Sequence, residues 1–151
     1  MATNGLFVGL IVLLTVTQVY TTCVIPTALQ GTWDVQGRTN TLTFTSSMLV
    51  GVKLDQFPNI VFNCFTHSGN EFVFRSNLEE LFGVSVKIYF CLDFDQVSSS
   101  EYKMYELTHK VGLYYEDRAR AFLLSDDPNV TKADVCQLSR STVTPRIMIK
   151  R

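Results

Sequence analysis

Charge is scarce in this sequence and evenly split, 13 Lys and Arg standing against 14 Asp and Glu for a formal net charge of −1. Without a concentrated basic surface, nucleic acid and anionic membrane are poor partners. Histidine is limited to His67 and His109, and no cysteines have Cys-x-x-Cys spacing, so the ligand set of a structural zinc site is missing. No loop carries the density of oxygen ligands that a calcium site needs. The same scarcity limits acid–base chemistry. A hydrolase needs a nucleophile, a base and an orienting acid in one pocket. Only His67, in a predicted turn, and His109, at a predicted strand end, offer an imidazole. The carboxylate pairs Glu79-Glu80, Glu116-Asp117 and Asp126-Asp127 are sequence neighbours, and neighbours on a strand point to opposite faces. The sequence therefore names no catalytic residue, no metal ligand and no cofactor.

No apolar run reaches the roughly 20 residues of a bilayer-spanning helix. The longest, Leu6 to Val16 (LFVGLIVLLTV), has the length of the apolar centre of a secretory signal peptide. Thr17, Thr21 and Thr22 supply the small residues of a cleavage zone. Cleavage near Thr22 divides the chain into a signal peptide at 1–22, a β-rich domain at 23–140 and a C-terminal strand or basic tail at 141–151. The expected location is extracellular, with no membrane association after cleavage.

In an oxidising compartment, Cys23, Cys64, Cys91 and Cys136 read as two disulfides. Pairing Cys64 with Cys91 would join two strand-like runs, and pairing Cys23 with Cys136 would tie the first ordered segment to the last. The other two pairings stay open. Asn129-Val130-Thr131 is an N-glycosylation acceptor triplet just after the turn signal Asp126-Asp127-Pro128.

Beyond the first segment the apolar residues recur with period 2, the signature of strands with one buried face. Thr41 to Thr45 alternates Thr with apolar residues, and Met48, Val50, Val52 and Leu54 continue after a predicted turn at Ser46-Ser47. Asn59 to Thr66 and Glu71 to Arg75 flank His67-Ser68-Gly69-Asn70, a hairpin turn. Along Ser85 to Phe94, Val86, Ile88, Phe90, Leu92 and Phe94 share one face, which directs Cys91 to the other. Glu101 to Thr108 and Arg118 to Leu124 read as further strands. Ser76-Asn77-Leu78-Glu79 fits a capping box and Gly83 a helix terminator, which predicts a short helix over Asn77 to Phe82. The expected fold is all-β and mainly antiparallel: a single small barrel or sandwich with one or two short helices and two disulfides.

Cys23-Val24-Ile25-Pro26, followed by Leu29-Gln30-Gly31-Thr32-Trp33, resembles the Cys-x-x-Pro and Leu-x-Gly-x-Trp opening of a family of small secreted, cysteine-stapled β domains of invertebrates. Phe62-Asn63-Cys64-Phe65 ahead of Ser68-Gly69-Asn70, Tyr89-Phe90-Cys91-Leu92 and Tyr102 to Tyr105 match its later strands. The resemblance brings no activity. Comparable secreted families supply extracellular matrices, including the organic matrix of shells, which implies a non-enzymatic structural or matrix protein. Gly31-Thr32-Trp33 also resembles the first strand of lipocalins, in which a late Arg packs over the Trp; Arg140 is the residue here that would do so. That likeness implies a carrier of a small apolar ligand in a cavity lined by Trp33, Phe44, Phe62, Phe72 and Ile88. A hydrolase is the third reading. The partners to be expected are extracellular matrix or a small apolar ligand.

Overall fold

The computed structural model describes residues 23–54, 60–109 and 118–151. The signal-peptide assignment at 1–22 and the Glu116-Asp117 pair lie outside the described residues. Ten strands are described: β1 (Gly31–Val35), β2 (Leu42–Phe44), β3 (Met48–Val50), β4 (Phe62–Ser68), β5 (Glu71–Ser76), β6 (Glu79–Leu81), β7 (Val84–Ser98), β8 (Glu101–Glu106), β9 (Arg120–Leu123) and β10 (Arg146–Lys150). One short helix, α1 (Lys132–Val135), and two 3₁₀ turns, Asp127–Asn129 and Arg140–Thr142, separate β9 from β10.

Eight of the strands close a ring in the order β1-β2-β3-β4-β5-β7-β8-β10, every neighbouring pair antiparallel, and β10 returns to β1. Among the described residues the wall thus has no edge strand except where β7 outruns the barrel. There β6 pairs with one side of its first half and β9 with the other. Arg146–Lys150 is therefore the strand that completes the barrel. Its apolar residues are contiguous, Ile147-Met148-Ile149, so no alternation marks it in the sequence, although only Met148 faces the core.

The period-2 reading of β7 holds in detail: Val86, Ile88, Phe90, Leu92 and Phe94 all lie in the interior cluster, and Tyr89 and Cys91 in a second cluster outside the wall. The hairpins at Ser46-Ser47 and Gly69-Asn70 also form. Two local features need glycine. Gly51, at φ +95°, passes so close to the chain ahead of β2 that a Cβ would lie 2.1 Å from the Thr41 carbonyl oxygen. Gly83, with Phe82, makes the tight turn that replaces the predicted helix.

The helix expected over Asn77 to Phe82 is corrected to a β6–β7 hairpin. Leu81 pairs with Val84 across a two-residue loop in which Phe82 (φ 51°) and Gly83 (φ 76°) are both left-handed. That is the turn whose twist suits a hairpin. Ser76 does not cap a helix; its hydroxyl accepts the Ile88 N–H at 2.9 Å and donates to the Asn77 carbonyl. Hairpin pairing of β6 with β7 outweighs the capping signal.

The disulfides are Cys23–Cys64 and Cys91–Cys136, which corrects the preferred Cys64–Cys91 and Cys23–Cys136 pairing to one of those left open. The reason is the barrel wall. Cys64 is paired across the sheet with Phe74 and packs with the interior cluster, where Cys23 reaches it. Cys91 pairs with Val73 and belongs to the outer cluster with Cys136. A Cys64–Cys91 bond would have to pass through the sheet.

Candidate functional site

A barrel offers three places for function: its lumen, its two ends and its outer wall. The lumen is filled. Phe62 meets Phe90 at 4.4 Å between ring centroids, Phe74 meets Phe90 at 5.6 Å, and Phe44 meets Phe94 at 5.6 Å. Phe72 touches both Phe74 and Phe94. Most of these ring pairs meet edge-on or tilted, arrangements that aromatic quadrupoles favour, and Phe72 stacks beside Phe74. Trp33, Phe44, Phe62, Phe72 and Ile88, the five residues named as cavity lining, all enter this interior cluster and are each at most 4% exposed. Their side chains occupy the space between them.

One end is sealed by the segment before β1. The Ile25 N–H donates to the Ser46 carbonyl at 2.8 Å, and Ile25 and Leu29 are buried over the interior. The Trp33 indole N–H donates to the Leu29 carbonyl at 2.8 Å, so its one polar atom is satisfied in a dry site. Tyr102 packs edge-on against Trp33 at 5.3 Å. The cation over Trp33 is Lys150, 5.2 Å from the ring, and not Arg140. β10 pairs Lys150 directly with Trp33, whereas Arg140 precedes β10 and stays outside the barrel.

The opposite end, where β1 stops at Val35 and β8 at Glu106, keeps a small cavity. Leu42, Val52, Phe90, Leu92 and Met104 form its floor, and Arg38, Glu106 and Arg118 its rim. Its volume is about 10 Å³, room for about one water. The Arg146 guanidinium lies 3.3 Å from the Glu106 carboxylate, which gives that largely buried acid a counter-charge.

The outer wall carries the least anticipated feature. The segment from Asp127 to Thr142 crosses β5, β7 and β8 as a strap, with Val130 and Val135 buried against Val73, Tyr89 and Leu107. Asp127 accepts the Lys87 ammonium at 2.8 Å and the Tyr89 hydroxyl, and lies 3.5 Å from Arg75. Burial alone would raise the Asp127 carboxyl, but the hydrogen bonds from Lys87 and Tyr89 and the nearby cations outweigh it and hold the pKa below the ordinary value. Burial, reinforced by the bond to Asp127, pushes the Tyr89 phenol up to about 12, so it remains a donor. Lys132 meets Glu71 at 3.1 Å. Arg140 grips Asp93 with two nitrogens and stacks on Tyr105 at 5.0 Å, and its pKa is raised chiefly by the bond to Asp93. Cys91–Cys136 closes the set.

The structure does not assemble these groups with the histidines. His67 is exposed and stacks on Phe72 at 5.2 Å, and His109 is exposed at the end of β8. Among the described residues no carboxylate pairs with either. The paired acids separate: Asp127 is committed to the strap while Asp126 is exposed. Glu71, Cys91 and Cys136 lie close enough to hold a metal, but both sulfurs are in the disulfide and cannot act as thiolates. Asn129 is exposed on the strap. The strap had one sequence signal, the Thr131-x-x-Asp134 capping box that starts α1.

No family model, curated protein or solved structure matches the chain. No helix among the described residues is long and apolar enough to cross a membrane.

Proposed function

We propose that this is a secreted, non-enzymatic structural domain of an extracellular matrix, in which the interior provides stability and the outer wall and loops make the contacts. The observation that carries the reading is the filled lumen. An eight-stranded barrel is just wide enough either to be packed by its own side chains or to hold one small ligand. Here six phenylalanines pack against one another, and the interior cavity seen among the described residues, about 10 Å³, is far below the roughly 300 Å³ at which ligand pockets begin. Two disulfides suit a domain that works outside the cell. Within that class, the organic matrix of a shell or other biomineral is the specific setting proposed. Fractionation of source tissue with an antibody to the barrel tests it. The chain is expected in the insoluble extracellular fraction; recovery only from soluble fluid or from inside cells would contradict the reading.

A second reading, a carrier, draws on the open end. There Arg38, Glu106 and Arg118 border an apolar floor of Leu42, Val52, Phe90, Leu92 and Met104, which suits the entry of a small apolar ligand. Such a ligand would have to displace Phe90 from its contacts with Phe62 and Phe74. Displacing them forfeits packing that the empty barrel already has.

A further inference from the structure

We infer that Asn129 carries an N-linked oligosaccharide, added before the strap docks on the barrel, so that glycosylation and closure of Cys91–Cys136 compete. The inference rests on the secreted reading above. Asn129 is the last residue of the 3₁₀ turn Asp127–Asn129; it is exposed, and no hydrogen bond among the described residues engages its side-chain amide. Its neighbours are placed differently. Val130 is 8% exposed and packed into the outer cluster. Thr131 donates both its backbone N–H and its hydroxyl to the Asp134 carboxylate. The strap is thus fastened on both sides of a residue that faces solvent. A large polar group on the Asn129 amide would displace no packed side chain.

The donor class is a lipid-linked diphosphate oligosaccharide. The Asn129 Nδ2 forms a bond to C1 of the first sugar, the bond from C1 to the diphosphate oxygen breaks, the amide gives up one proton, and the lipid diphosphate leaves. No oxidation is involved. The transferase must take up the asparagine amide together with the hydroxyl two residues on, presented on an open chain. In the folded strap that hydroxyl is committed to Asp134, and the valine between them is buried. The triplet is therefore an acceptor only while the strap is undocked. Three fasteners end that state: Asp127 on Lys87, Lys132 on Glu71, and Cys136 on Cys91. Only the disulfide is covalent, and Cys136 follows the triplet closely enough that closing it fixes Thr131 in its cap.

The test is expression of the full chain in secretory cells as wild type, Asn129→Gln and Thr131→Ser, with and without a brief pulse of dithiothreitol during synthesis. Secreted protein is scored by thiol titration and by mass before and after treatment with peptide N-glycosidase. The wild type should lose the mass of one oligosaccharide with conversion of Asn129 to Asp, and Asn129→Gln should lose none. Thr131→Ser, a poorer acceptor, should be only partly occupied, and the reductant pulse should raise its occupancy severalfold. A secreted chain without free thiols whose Asn129 is unmodified under every condition overturns the site. Occupancy of Thr131→Ser unmoved by the reductant overturns the order of events. Retention in the cell, or four free thiols, overturns instead the secreted reading on which the site rests.

Discussion

Inside the barrel, Phe44, Phe62, Phe72, Phe74, Phe90 and Phe94 hold one another through ring contacts, and Cys23–Cys64 pins the sealing segment over them. On the outer wall, the strap from Asp127 to Thr142 buries two valines and otherwise depends on charged partners and Cys91–Cys136. The interior should be indifferent to salt and pH, because dispersion and apolar burial carry it. The strap should respond to pH, salt and reductant alike. Local opening draws on segments with few buried apolar contacts, so the strap is the first unit expected to leave, with the ring of strands intact behind it.

The comparison breaks most sharply if an interior ring is removed. Phe62→Ala leaves a hole beside Phe90 and should cost about 3–5 kcal/mol in denaturant unfolding, lowering protection against hydrogen exchange across the whole sheet. Replacing Cys91 and Cys136 together by Ala should cost about 2–5 kcal/mol. Here the loss of exchange protection should begin in residues 127–142 while β1 and β2 stay protected. Equal loss everywhere would show that strap and barrel unfold as one. Arg140→Ala leaves Asp93 largely buried without its main partner. Because the Arg140 side chain is 39% exposed, solvent screening reduces the cost to about 1–2 kcal/mol, measured as a shift in the urea midpoint.

The smallest expected effect is titration of Asp127. Its folded pKa is depressed, so its contribution is fully present above the unfolded carboxylate value of about 3.9. That contribution is lost as pH falls through the lower folded value. Near-ultraviolet circular dichroism of Tyr89 should change in that window before the far-ultraviolet strand signal does. Asp127→Asn should remove the early step.

Much of the barrel was legible because alternation reports which way a side chain points. Val86 to Phe94 gave the inner face of β7, and the same alternation placed Cys91 opposite it. Applied to β4, it sets Cys64 on the side of Ile60 and Phe62, inside with Cys23; comparing the faces of the two cysteines would have excluded a Cys64–Cys91 bond. The capping box at Ser76 misled because it is a local signal in a segment that pairs with β7, whereas the box at Thr131-x-x-Asp134 does begin a helix. The strap's ion pairs were illegible, since Asp127 meets Lys87 across 40 residues of sequence and no short-range pattern encodes that contact. Alternation also names which residues face the lumen without saying whether they fill it. Trp33, Phe44, Phe62, Phe72 and Ile88 were recognisable as interior, but their mutual contact depends on barrel radius and rotamer.

That last point is where the functional account is most exposed. Native mass spectrometry of the protein purified from its source, repeated after denaturation and reduction, tests it directly. The account expects the chain to carry no non-covalent mass, its only additions being those covalently attached and its only losses the cleaved signal peptide and the hydrogens of two disulfides. A small molecule released on denaturation would mean that the lumen opens to take a ligand, and would contradict a barrel filled by its own side chains.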